Sequence, residues 1–87
     1  MPAETDALRA LDLIEASGFR MTADCEAAHE IAQAREGEPL FDAIHALVHR
    51  IEGDHANAGY WDRRAGTDFG RNGFEAELAN LRGMARG

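Results

Sequence analysis

Pro39-Leu-Phe-Asp-Ala-Ile-His45-Ala-Leu-Val-His49-Arg-Ile-Glu52, then Gly53-Asp54, then His55-Ala-Asn57-Ala-Gly-Tyr60-Trp61-Asp-Arg-Arg64-Ala-Gly66, is the stretch on which the fold turns. At about 100° per residue, Leu40, Phe41, Ile44, Leu47, Val48 and Ile51 fill one broad arc of a helix over 39–52, with Pro39 suited to its first turn. Gly53 is a C-terminal stop, and Asp54 stands where an N-cap starts a second helix at once. A tight helical hairpin follows. In its second helix, over 54–65, Asn57, Trp61 and Arg64 share a face with Tyr60 beside them, and Gly66 ends it. Folding the two helices face to face is expected to bury Trp61 near Val48 or Glu52.

Working outward, the same grammar repeats. Thr5 or Asp6 can cap a helix over about 6–17, with Ala7, Leu8, Leu11 and Ile14 on one stripe before Gly18. Phe19 and Met21 lie in the connection, where they can staple two helices together. Thr22 then caps a helix over 23–36 whose inward face, Ala27, Ala28, Ile31 and Ala32, favours close approach over volume. Downstream, after a loop in which Phe69 turns inward, Phe74, Leu78 and Leu81 mark a last helix over 73–84. The expectation is all-α: five antiparallel helices in one domain over residues 1–87, with no sheet.

Eighty-seven residues bury a small core, and with alanine supplying much of the 45% hydrophobic content and aromatics 7%, large core side chains are scarce. Self-association into a dimer would relieve this. A net charge of −7 argues against a nucleic-acid partner, whose phosphates need a basic face. Residues 1–40 carry nine acids against three arginines, and residues 41–87 seven against six. A single cysteine, Cys25, excludes an internal disulfide and fits a reducing cytoplasm. No apolar run approaches the ~18 residues of a membrane span, so no membrane association is expected, and the first residues lack the basic-then-apolar order of a secretion signal.

Three of the four histidines fall in the central stretch. His45, His49 and Glu52, at i, i+4 and i+7, form a row along one edge of the apolar arc. Imidazole nitrogens and a carboxylate on successive turns can bind a divalent transition metal, with Asp54, His55, water or substrate completing the sphere. The plainer use of the same row is structural, with the histidines hydrogen-bonded across the hairpin to Asp54, Asn57 or Tyr60 and no cofactor needed. A carboxylate partner would then raise a histidine's folded-state pKa. Tyr60 and Trp61 read first as core residues with polar tips, and beside Arg64 as a wall for an aromatic or anionic small molecule. Arg50, Arg63 and Arg64 would pair with acids such as Asp54 and Asp62, or converge on a carboxylate or phosphate. Cys25 and His29, one turn apart, lack the orienting acid and oxyanion donor of a nucleophile and its base. His55 reads as a surface residue.

Two resemblances arise on these residues. Gly53-Asp54 followed by Ala58, Trp61 and Ala65 resembles the second helix of a tetratricopeptide-type hairpin. The 35 residues from Gly18 to Gly53 are close to that repeat's ~34. Asp42, His45 and His49 stand where such repeats favour large apolar residues, and two units are fewer than a solenoid uses. The run H-x3-H-R-x-E-G-D-x2-N-A-x-Y-W-x2-R-A-G, from His45 to Gly66, is similar to the signature of a family of small bacterial and fungal proteins and domains. Relatives tend to have an aromatic where this chain has Asp62. The resemblance implies a shared site or core built from His45, His49, Arg50, Glu52, Gly53, Asp54, Asn57, Tyr60, Trp61 and Arg64, and no reaction.

Three functions fit. The favoured one is a small helical binding or interaction module, taking an anionic small molecule or a protein partner, with its polar site on the His45–Arg64 hairpin. The second is a metal-dependent or acid–base enzyme in which His45, His49 and Glu52 serve a bound substrate held by Arg64. The third is an acidic regulator that docks on a basic protein through residues 1–40.

Overall fold

The computed structural model describes residues 3–87, and among them there are five α-helices and no strand: α1 (Ala3–Ala16), α2 (Ala23–Ala34), α3 (Pro39–Glu52), α4 (His55–Ala65) and α5 (Phe74–Arg86), with one 3₁₀ turn, Phe69–Asn72, before α5. Helix α1 begins earlier than its sequence suggests, so Thr5 and Asp6 lie inside its first turn instead of capping it. There Asp6 pairs with Arg35 beyond the end of α2 at 2.9 Å. Helix α5 runs on to Arg86 because Ala85 is still buried against the core.

The caps between the helices are those that the residues favour. Thr22 accepts from the Cys25 amide at the start of α2. Gly53 takes the left-handed conformation (φ 89°), its amide and that of Asp54 closing on the carbonyls of Arg50 and His49. Only a residue without a Cβ adopts that geometry cheaply. Asp54 then accepts from the Asn57 amide at 3.2 Å and opens α4.

Helix α3 is the centre of the molecule, packed by α1, α2, α4 and α5. Every residue from Phe41 to Val48 is buried, including Asp42 and His45, while His49 is half-buried and Glu52 exposed, so the polar row runs from the core out to solvent. The reason is geometric: α2 and α4 flank α3 and enclose the inner end of its polar stripe. Small residues make this enclosure feasible. Ala28 and Ala32 on α2 and Ala58 on α4 are fully buried, each letting a neighbouring backbone approach closely. Leu11, Ile14, Phe41, Ile44, Leu47 and Leu81 supply the volume, each side chain stabilising the fold by ~1.5–3 kcal/mol through burial.

A buried charge network ties α3, α4 and α5 together. Arg50 donates through Nε and Nη2 to both oxygens of Glu77 (2.9 and 2.8 Å) and through Nη2 to Asp62 (2.8 Å). Thr67 donates to the other Asp62 oxygen at 2.9 Å. Glu77 is 1% exposed, and its hydrogen bonds push the Arg50 guanidinium further up. Asp62 is thus an ion-pair acceptor, a role that an aromatic at that position cannot fill. Gly70 belongs to the same arrangement: a Cβ there would stand 2.5 Å from the Arg50 guanidinium carbon.

Phe19 and Met21 part company in the α1–α2 connection. Phe19 stacks on Phe74 of α5 at 5.6 Å. Met21 staples nothing and is 41% exposed. No helix among the described residues is long and apolar enough to cross a membrane.

Candidate metal centre

Three imidazoles meet between α2 and α3. His29 Nε2 lies 2.9 Å from His45 Nε2, and one nitrogen from each of His29, His45 and His49 falls within 4.8 Å of the others. His45 and His49 stack at 4.9 Å between ring centroids, and His29 meets both rings edge-on at 4.6 and 5.4 Å. On its other side His45 stacks on Trp61 of α4, 4.0 Å between centroids and 14° from parallel. Trp61 is buried as its sequence context suggests, but its neighbour is His45, one turn below Val48.

Helix register explains who meets whom. In an antiparallel hairpin, residues equally distant from the turn stand opposite one another. His29 and His45 are each eight residues from Gly37, while His45 and Trp61 are each eight from Gly53. Two glycine turns sixteen residues apart therefore bring one residue of α2 and one of α4 to the same level of α3.

The partners expected within the second hairpin are not the ones used. Asp54 accepts from both the amide and the side chain of Asn57, which closes the first turn of α4 on itself. Those bonds hold the Asp54 carboxyl below its usual range. Tyr60 is exposed and accepts from Arg64 at 3.1 Å; the Arg64 guanidinium also lies over Trp61 and 3.9 Å from Asp42. His49 Nδ1 is 3.1 Å from Glu52 on the same helix, and among the described residues His45 has no carboxylate partner. Sequence reasoning grouped Glu52 with His45 and His49; the structure puts His29 in that place. Glu52 forms a second, outer group with His49 and Asp54. His55 is exposed.

The pKa directions follow from this enclosure, and they oppose the rise expected from a carboxylate partner. Burial first, then the charges that His29 and His49 would carry, push His45 down to about 4. Burial and the neighbouring His49 push His29 down as well. Two nitrogens 2.9 Å apart can share one proton, not hold two, so the contact itself disfavours charging both rings. His45 Nδ1 is buried without a hydrogen-bond partner among the described residues. Whether it carries the lone pair or the proton, leaving it so costs on the order of 1–3 kcal/mol.

The arrangement suits a transition metal. Ligand nitrogens at 2.0–2.1 Å from an ion stand about 2.9 Å apart at right angles and about 3.3 Å apart at the tetrahedral angle. The His29–His45 spacing is at the short end of that range. With Nδ1 of His49 on Glu52, Nε2 is the nitrogen left for the cluster, and a carboxylate behind a ligating histidine fixes its tautomer and raises its basicity. Beside the cluster is a concavity of about 310 Å³ lined by Met21, Glu26, His29, Glu30, Gln33, Val48, His49 and Glu52. Its charged groups are acidic, so it attracts cations. Asn57, Tyr60 and Arg64 stand outside it.

Cys25 takes no part. Its thiol is buried, and burial pushes its pKa up, the reverse of what a nucleophile needs. No family model, no curated protein and no solved structure matches the chain, so no relative supplies a ligand or a reaction.

Proposed function

We propose that this protein is a small helical binding module whose ligand is a transition-metal ion, held by His29, His45 and His49. The observation that carries the reading is the convergence of three imidazoles from two helices on one point, with their ligand atoms within 4.8 Å. Glu52 supports it from behind His49, and the acidic rim supports a cation over an anion. The same rim speaks against an anionic small molecule at this concavity, and the contacts that Arg64 makes with Tyr60, Trp61 and Asp42 speak against its acting as the anchor of one.

The test is a thermal melt of chelator-stripped protein with and without Zn²⁺, a redox-inert probe for such a site. At a hundredfold excess over Kd, binding to the folded state alone adds about 2.7 kcal/mol of stability. A rise in Tm that chelator reverses, and that His29→Ala abolishes, is expected. Equal rises in wild type and His29→Ala would refute the site.

A further inference from the structure

We infer that Met21 supplies a thioether ligand to this centre and that the ion it selects is copper(I), an assignment that rests on the three-histidine reading above. Met21 lines the same concavity as His29 and His49, and at 41% exposure it is one of two large hydrophobic residues left open to solvent among the described residues. The connection it belongs to is not slack. Its neighbour Phe19 is held at φ 59°, a conformation unfavourable for a residue with a Cβ, while its ring is stacked on Phe74. Phe19 is fixed against α5, and Met21, two residues on, lines the concavity between α2 and α3 beside the histidine cluster instead of the core.

The ligand chemistry then decides the metal. Zinc at three imidazoles takes water or a carboxylate as its fourth partner and gains little from a thioether. Glu52, the carboxylate in contact with the cluster, is engaged by His49. Copper(I) is soft and d¹⁰; it accepts imidazole nitrogen and thioether sulfur together, with no demand for anionic ligands. Methionine's three rotatable bonds let its sulfur close over an ion bound from solvent. Glu26, Glu30 and Glu52 around the mouth raise the local cation concentration without having to coordinate.

The experiment uses the full chain, stripped of metal, in two competition titrations. One sets it against a chromogenic copper(I) chelator under anaerobic reducing conditions, the other against a chromogenic zinc chelator. Met21→Leu keeps the apolar volume and removes the sulfur. It is expected to weaken copper(I) binding by about tenfold or more and to leave zinc affinity within about twofold. X-ray absorption of the copper-loaded wild type should contain a sulfur neighbour that Met21→Leu lacks. Unchanged copper(I) affinity in Met21→Leu, or an equal loss for both metals, would overturn the assignment of Met21 while leaving the histidine site standing. Unchanged binding of both metals in His29→Ala would overturn the site itself, and this inference with it.

Discussion

Acidifying the metal-free protein from pH 7 to pH 5 should cost it about 2 kcal/mol through His45 alone. The ring's folded-state pKa is pushed down to about 4 by burial and by its two histidine neighbours, against about 6.5 in the unfolded chain. Between those values the unfolded state binds a proton that the folded state refuses, so stability falls as pH falls. The penalty is absent above about pH 6.5 and complete below about pH 4, where 2.5 units at 1.36 kcal/mol each amount to roughly 3 kcal/mol. His29, shifted in the same direction, adds to it, although Glu52, Glu26 and Glu30 act on that ring in the opposite sense. For a domain of ordinary marginal stability this is a large fraction of the total. The assay is urea denaturation at half-unit pH steps with chelator present throughout. His45→Leu, which fills the same buried space and cannot take a proton, should flatten the profile between pH 7 and pH 5. A profile as steep in His45→Leu as in wild type, or a wild type that gains stability on acidification, would refute the argument.

Trp61→Ala should cost roughly 3–5 kcal/mol in denaturant, because it removes a buried indole and one face of the stack on His45; a loss under 1 kcal/mol would place Trp61 outside the core. Arg50→Ala leaves the Glu77 carboxylate buried with its strongest partner gone, and melts should register about 3–5 kcal/mol; a wild-type Tm would deny the network any structural weight. Gly70→Ala, which presses a methyl group onto the same guanidinium, should cost ~1–3 kcal/mol and nothing further in an Arg50→Ala background. With metal present, the gain in Tm should grow from pH 5 to pH 7, since coordination needs unprotonated imidazole, and chelator should remove the gain and leave the His45 slope.

The helices were legible because their signals are local. The apolar arc from Leu40 to Ile51, the Gly53-Asp54 stop and start, and the Thr22 cap each depend on residues within a turn or two, and each is realised. The start of α1 was not, because Asp6 has a partner, Arg35, far along the chain. The polar site was half legible for the same reason. His45 and His49 stand together on one helix, so their row could be read from spacing, whereas His29 comes from α2 and its role depends on how two helices pack. A signal was present all the same: reflecting α2 and α3 about Gly37 sets His29 opposite His45, and reflecting α3 and α4 about Gly53 sets Trp61 there too. Met21 could not be read at all, since an apolar residue in a turn points to packing until its exposure is known.

The account turns on whether His29, His45 and His49 bind one ion together. Crystals grown with Zn²⁺ and measured on both sides of the zinc absorption edge test that directly. The account predicts a single anomalous peak between α2 and α3, bound by one nitrogen from each of the three rings at about 2.0–2.1 Å. A peak held by Glu52 and Asp54 without His29 and His45, or none between the two helices, would contradict it.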